Sequence, residues 1–227
     1  MTTKALILAG YGLNCEEETL HAFQTAGVEG NIMHINDLSE NPNKLDQAQI
    51  LAVPGGFSYG DDTGSGNAFA QKMKLALWEP IQKFIARDTL TIGICNGCQI
   101  IANLGLVPGL NKKYGERVVA VTYNLTARYG CRWVDVKVNA ANVSPWLKGI
   151  ERLHIPVAHG EGRFMMEEST LKVLETQNQL ALQYIKKTCH PERSEGSQDP
   201  SVATLPQDDS MWELAGGEFP HNPNGSI

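Results

Sequence analysis

The chain has 227 residues, 42% of them hydrophobic and 19% charged, and a formal net charge of −6. That is enough apolar material for a substantial core in one domain or two small ones. The acidic balance and the lack of a basic, aromatic-interleaved stripe argue against nucleic-acid binding, and no apolar run approaches the roughly 20 residues that span a bilayer. Met-Thr-Thr-Lys leads straight into an apolar run with no export signal. Five cysteines, an odd number in a chain this long, do not suggest a disulfide framework, so a reducing cytoplasm is the expected location.

Ala5-Leu6-Ile7-Leu8-Ala9 is a continuous apolar run of the kind buried in parallel sheets, and it breaks at Gly10-Tyr11-Gly12. Residues 13–26 read as a helix with Glu16, Glu17 and Glu18 in the first turn, where the helix dipole favours them, and Gly27 as its stop. Residues 30–35 and 50–53 give two further strands, the second ending in Pro54-Gly55-Gly56. An amphipathic helix over 68–86 is followed by a fourth strand over 90–94 and a helix over 99–106. Alternation of strands and helices predicts an α/β fold, doubly wound around a mostly parallel, flavodoxin-like sheet, with ligands beyond the strand C-termini.

Beyond Pro108 the texture changes to alternating strands over 118–123, 133–138 and 153–157. A helix over 171–176 and a strand over 180–185 follow, so the parallel sheet is expected to carry an antiparallel extension. From Lys186 to about Pro220 the sequence is polar and rich in turn formers, with nothing to bury. The expected organisation is therefore a domain over 1–185, a low-complexity insertion or loop over 186–220, and a resumption of the domain at 221–227. Asn222-Pro223-Asn224-Gly225-Ser226 is turn chemistry with no strand after it, as if the C-terminal part were missing.

Gly93-Ile94-Cys95-Asn96-Gly97 joins a buried strand to a helix, the pattern of a nucleophile elbow. The flanking glycines let the backbone bend, and the helix N-terminus favours a thiolate. Cys95 is thus a candidate acyl-transfer nucleophile. Cys95-Asn96-Gly97-Cys98 is also a C-x-x-C, open to a redox or metal reading, and a cysteine at a strand end is often a small buried hydrophobe. An acyl-transfer site needs amides aimed at a developing oxyanion. Gly55 and Gly56, free of side chains at the end of the neighbouring strand, are the candidates, with Asn96 as the second donor.

Pro54-Gly55-Gly56-Phe57-Ser58-Tyr59-Gly60-Asp61, Gly93-Ile94-Cys95-Asn96-Gly97-Cys98-Gln99 and Ala158-His159-Gly160-Glu161-Gly162-Arg163-Phe164 together resemble the class I glutamine amidotransferases. Among them they resemble the glutaminase subunits of phosphoribosylformylglycinamidine synthase, an enzyme of purine biosynthesis. Leu13-Asn14-Cys15-Glu16 and Cys131-Arg132-Trp133-Val134 agree with that family. The resemblance covers residues 4 to about 185 and resumes at 222–227.

The resemblance implies that Cys95 attacks the carboxamide of glutamine, that Gly55 or Gly56 with Asn96 forms the oxyanion hole, and that Gln99 helps hold the glutamine backbone. It implies that residues 124–129 form a strand flanking the glutamine pocket, although Tyr129 and Gly130 depart from the commoner pattern. The His159 segment is implied to lie near the route to an ammonia-consuming partner, whereas His159 taken alone reads as a structural turn histidine. The implied partners are a larger ATP-binding synthetase subunit, which carries ATP and Mg, and a small accessory subunit. This chain is expected to bind no cofactor and no metal.

A thiol nucleophile needs a histidine base oriented by a carboxylate. The family takes both from a His-Pro-Glu that follows Asn-Pro-Asn-Gly-Ser. Here His190-Pro191-Glu192 precedes Asn222-Pro223-Asn224-Gly225-Ser226, in a polar stretch unsuited to holding an imidazole rigidly. His190 and Glu192 are therefore expected to be a decoy. The expected function is a glutaminase subunit that forms a Cys thioester and passes ammonia to the synthetase. The alternative is a catalytically incomplete, amidotransferase-like interaction protein lacking its His-Glu pair.

Overall fold

In the computed structural model, residues 2–187 and 212–214 are described. Their contacts divide into two compact units, one of residues 1–121 with 165–167 and the other of 122–164 with 168–227. The first unit is built on β1 (Lys4–Ala9), β2 (Glu29–His34), β3 (Ile50–Val53) and β4 (Leu90–Gly93), a parallel sheet in the order β2-β1-β3-β4. That is the first part of the flavodoxin order, with its switch point between β1 and β3. All four residues of β3 and five of the six in β1 are buried, as expected of strands covered on both faces.

Helix α1 (Glu16–Thr25) follows β1, and α2 (Ile35–Glu40) follows β2 directly. Helix α3 (Asn67–Ile85) buries Phe69, Met73, Leu77, Ile81 and Phe84, spaced to fall on one helical face. These pack with Leu6, Leu8, Leu51, Val53 and, from α4 (Asn96–Asn103), Ile100 and Ile101 into one apolar core. Two boundaries differ from the sequence reading. Helix α1 starts at Glu16, because residues 10–15 are drawn into a loop beyond the sheet. Ile35 opens a helix instead of closing a strand: the His34 imidazole caps it by accepting from the Asn36 amide at 3.2 Å, and Ile35 and Leu38 turn inward.

The second unit is antiparallel. Its four-stranded sheet has the order β10-β9-β6-β7, from β6 (Gly130–Val138), β7 (Arg152–His159), β9 (Leu182–Lys187) and β10 (Trp212–Leu214). Along β6, Val134, Val136 and Val138 are buried while Trp133 and Lys137 are exposed, the alternation of a half-buried strand. A two-stranded ribbon pairs β5 (Ala120–Tyr123) with β8 (Glu161–Met165), and α5 (Glu168–Thr176) precedes β9. The antiparallel strands thus form sheets of their own, and the span 1–185 falls into two units at residue 121. Among the described residues no helix is long and apolar enough to cross a membrane.

Residues 124–129 are not a strand. They form a turn closed by the buried Asn124, whose Nδ2 donates to the carbonyls of Arg128 and His159, both at 2.9 Å. Parts of two strands fall inside the span 186–220. Strand β9 runs on to Lys187, and Trp212–Leu214 returns antiparallel to it, with Trp212 opposite Lys187 and Leu214 opposite Ile185. Backbone pairing recruits both flanks whatever their composition. His190, Glu192 and residues 221–227 lie outside the described residues.

Because the register sets Lys187 beside Trp212, a tight Asn-Gly turn can join them. Replacing residues 188–211 with Asn-Gly is expected to raise stability by about 1–2 kcal/mol through the smaller loop-closure entropy. Denaturant midpoints of the two forms measure this, and a loss of stability would show that the excised segment holds the fold.

Candidate active site

Only Ile94 and Cys95 separate β4 from α4. The turn is closed by Ile94 N–H to Val53 O at 3.0 Å, Gly97 N–H to Ile94 O at 2.8 Å and Cys98 N–H to Cys95 O at 2.9 Å. Such a turn leaves no room for side chains beside the thiol. A Cβ on Gly97 would be driven into the Val53 carbonyl and would sit 2.8 Å from Pro54 O, and one on Gly93 would meet the Gly97 carbonyl carbon at 2.7 Å. Cys95 itself is held at φ 53°, ψ −113°, outside the regions that L-residues favour. Strain of this kind costs about 1–3 kcal/mol and persists only where the surroundings over-determine it. Here it lifts an exposed thiol above the helix N-terminus.

The loops after β1 and β3 zip together beside it. Cys15 N–H donates to Gly55 O at 3.2 Å, Phe57 N–H to Gly12 O at 2.8 Å and Tyr59 N–H to Tyr11 O at 2.8 Å. A Cβ on Gly55 would lie 3.4 Å from Cys95 Cβ and 3.6 Å from Cys15 Sγ, so the Gly55 backbone lies against the Cys95 side chain. The amides of Gly55, Gly56 and Asn96 donate to no acceptor among the described residues. Unspent backbone donors next to a nucleophile are what an oxyanion requires.

Asn96 is 1% exposed. Its Oδ1 accepts from Ser58 N–H at 3.1 Å, and its Nδ2 donates to Asp61 Oδ1 at 3.2 Å and to Gln99 Oε1 at 2.9 Å. Cys95, Asn96, Gln99, Gly55 and Gly56 therefore lie in one neighbourhood, as the sequence suggested. Ser58 and Asp61 were missed; the signal that could have found them is Gly60, set between Tyr59 and Asp61 in a run with φ of 53°, 67° and 56°.

The neighbouring thiols are held protonated. Burial, then the charge on Cys95, pushes Cys98 up to about 11. Burial, then Glu18, Cys95 and Glu16, raises Cys15. Cys95 and Cys98 are both free thiols, and no group of three or more His, Cys, Asp or Glu side chains that could hold a metal occurs among the described residues, so neither the redox nor the metal reading of the C-x-x-C gains support. No described side chain hydrogen-bonds the Cys95 sulfur, and the expected decoy pair, His190 and Glu192, lies beyond the described residues. His159, in the second unit, has Nδ1 3.0 Å from Asn124 Oδ1 and its ring packed on Gly162, while burial lowers its pKa. Its geometry is that of a structural turn histidine.

A strained thiol at the mouth of a 2-1-3-4 parallel sheet, beside unspent amides, is the architecture of a cysteine amidotransferase. The model of the CobB/CobQ-like glutamine amidotransferase domain matches residues 2–199. Phosphoribosylformylglycinamidine synthase subunit PurQ of Methanococcus maripaludis is 45% identical over 223 residues, covering 98% of this chain and 73% of that protein. The subunit of the same name from Treponema denticola is 34% identical over 238 residues, covering all of this chain and 80% of that one. Among solved structures, PurLQS from Thermotoga maritima matches with a TM-score of 0.59 at 30% identity, over 74% of this chain and 71% of that chain. The chain belongs to the PurQ family of glutamine amidotransferases, the glutaminase subunits of phosphoribosylformylglycinamidine synthase.

Two outcomes follow from this geometry. Gly97→Ala is expected to lower stability by about 1–3 kcal/mol through overpacking and to slow alkylation of Cys95, read by thermal denaturation and mass spectrometry. Thiol reactivity should also separate by pH. A thiol with a pKa of about 11 has roughly one part in a thousand as thiolate at pH 8. Iodoacetamide at pH 8 should therefore modify Cys95 and spare Cys98, with Cys98 gaining reactivity only as pH rises toward 11. Equal labelling of both at pH 8 would contradict it.

Proposed function

We propose that Cys95 is the nucleophile of a glutaminase that supplies ammonia for amidine formation. The observation that carries this is the strained elbow, with Cys95 at φ 53° and ψ −113° facing Gly55. The thiolate attacks the carboxamide carbon of glutamine, and negative charge moves to oxygen. The amides of Gly55 or Gly56 and of Asn96 receive that charge. The C–N bond then breaks, the nitrogen takes a proton and leaves as ammonia, and a glutamyl thioester remains on Cys95. Water hydrolyses the thioester to glutamate and restores the thiolate. Gln99, one helical turn beyond the thiol, contacts the backbone of the substrate.

Ammonia passes to a larger ATP-binding synthetase subunit, assisted by a small accessory subunit, and ATP and Mg are bound there. The relatives are named as subunits of one synthase, and this chain offers no glycine-rich phosphate loop of the P-loop kind. The reaction needs a thiol kept reduced, which suits the cytoplasm. The proton given to ammonia requires an acid–base group, and His190 is not that group: its neighbours Cys189, Pro191, Glu192 and Arg193 supply no apolar anchor for a rigid imidazole.

The test is glutamine hydrolysis by the full chain assembled with the synthetase subunit, together with labelling by diazo-oxo-norleucine. Cys95→Ala should abolish turnover and labelling, whereas His190→Ala should leave turnover within about twofold. A working base contributes about 10²–10⁴-fold, so a loss of that size in His190→Ala would identify His190 as the base. Labelling of Cys15 or Cys98 in place of Cys95 would remove the nucleophile assignment.

A further inference from the structure

The loops after β1 and β3 run antiparallel, and the bonds between them form a short ladder. Its inner rung is Cys15 N–H to Gly55 O, beside the Cys95 side chain. Leu13 bridges Gly56 and Phe57 N–H meets Gly12 O in the middle, and Tyr59 N–H to Tyr11 O, at 2.8 Å, is the outer rung. At that outer rung the two tyrosine rings stack, with centroids 4.9 Å apart and planes 13° from parallel. Tyr11 is also tied to elements outside the two loops. Its hydroxyl donates to Asn36 Oδ1 at 3.1 Å and accepts from Asn36 Nδ2 at 2.9 Å, in the first turn of α2. The Lys72 ammonium, from α3, lies 5.1 Å from the ring centroid, and the His34 imidazole lies 5.3 Å away, tilted by 55°. The stack therefore joins the glycine loop to α2 and α3, which both bury side chains in the core.

Both tyrosines occupy backbone that side chains avoid. Tyr11 has φ 50° and Tyr59 φ 53°, in the left-handed region where glycine or asparagine is accommodated at lower cost. Burial does little to offset that cost, since Tyr11 is 40% and Tyr59 37% exposed. A side chain held in a disfavoured conformation with little burial in return points to a task of its own. The task available here is geometric. Gly55 and Gly56 have no side chains to anchor their turn, so its orientation depends on the ladder, and the rings close the ladder at its far end.

We propose that the Tyr11–Tyr59 stack is a positioning device of the glutaminase reaction. It clasps the outer end of the ladder and so holds the Gly55–Gly56 turn fixed beside Cys95, where its amides meet the charge developing on the substrate carbonyl without rearranging. The inference rests on the reading of Cys95 as nucleophile and of the glycine amides as oxyanion donors, and it assigns the rings no contact with substrate.

The test follows labelling of Cys95 by diazo-oxo-norleucine in the full chain by mass spectrometry, with iodoacetamide as a reagent that needs no oxyanion donors. The ketone oxygen of the mimic stands where the carboxamide oxygen of glutamine would. Asparagine tolerates left-handed backbone, so Tyr11→Asn and Tyr59→Asn each remove a ring while keeping the turn. Each is expected to lower the limiting rate of mimic labelling about tenfold, with half-saturation and the iodoacetamide rate within about twofold of the unsubstituted chain. Two rings that act as one clasp are not lost independently, so the double variant should also fall about tenfold and not about a hundredfold. Tyr59→Phe retains the stack and should rescue the limiting rate to within about twofold. An unchanged limiting rate in the Asn variants, a parallel fall with both reagents, multiplied losses in the double variant, or a Phe variant as slow as the Asn variant would each overturn the proposal. Either single variant decides the question if the other does not fold, and loss of the fold in both would show that the stack supports the whole unit and not the site, which overturns it as well. Failure of the mimic to outpace iodoacetamide in the unsubstituted chain would instead sink the glutaminase reading beneath it.

Discussion

The backbone of Gly97 lies directly against the carbonyl of Val53, and the position of the thiol follows from that contact. Strands β3 and β4 are adjacent and parallel, so a helix leaving β4 must cross the end of β3 at once. The crossing is close enough to exclude a Cβ at both Gly93 and Gly97. It leaves Cys95, caught between them, no relaxed conformation. The strain is offset elsewhere: Ile100 and Ile101, further along α4, sit in the same core as Val53 and Phe69. Fully burying an aliphatic side chain stabilises by about 1.5–3 kcal/mol, comparable with the strain at one residue. The core therefore holds the thiol in a conformation that its own backbone disfavours.

Topology supplies the rest of the site. At the switch between β1 and β3 the chain departs in opposite directions, and the loops beyond those strands lie side by side with no helix between them. They pair through Cys15 with Gly55, Phe57 with Gly12 and Tyr59 with Tyr11. None of these bonds uses the amides of Gly55 or Gly56. Donors fixed in this way by the surrounding backbone need no reorganisation to meet an acceptor.

What was legible in the sequence was whatever depended on short-range pattern. Strands β1 and β3 announce themselves as unbroken apolar runs, and the elbow as glycines spaced around a cysteine. The misses share a cause: each depends on a partner distant in sequence. Strand β8 contains Glu161, Gly162 and Arg163 and has no alternation to betray it, yet it pairs with β5. Residues 124–129, a strand by resemblance, form a turn because the Asn124 side chain bonds the carbonyls of Arg128 and the distant His159. Trp212–Leu214 is set in a polar stretch and becomes a strand only because β9 offers it a ladder. Within the site, the tight turn at Cys95 and the close approach of its glycines could be read directly. The contacts of Ser58 and Asp61 with the Asn96 amide could not, because they join residues 38 and 35 positions apart.

The same geometry sets three neighbouring thiols apart from one another. Burial favours the neutral form of Cys98, on the inner side of α4, and of Cys15, behind Gly55. Electrostatic interaction with Cys95 raises both further. Glu18 and Glu16, acidic residues in the first turn of α1, act in the same direction on Cys15. Those carboxylates first read as a helix-start signal; they also help keep Cys15 from competing for electrophiles. A C-x-x-C within a helix turn would otherwise invite disulfide chemistry, which requires one thiolate to find a second sulfur that is accessible. Cys98 is packed inward and protonated, so the exposed sulfur of Cys95 is the accessible one of the pair.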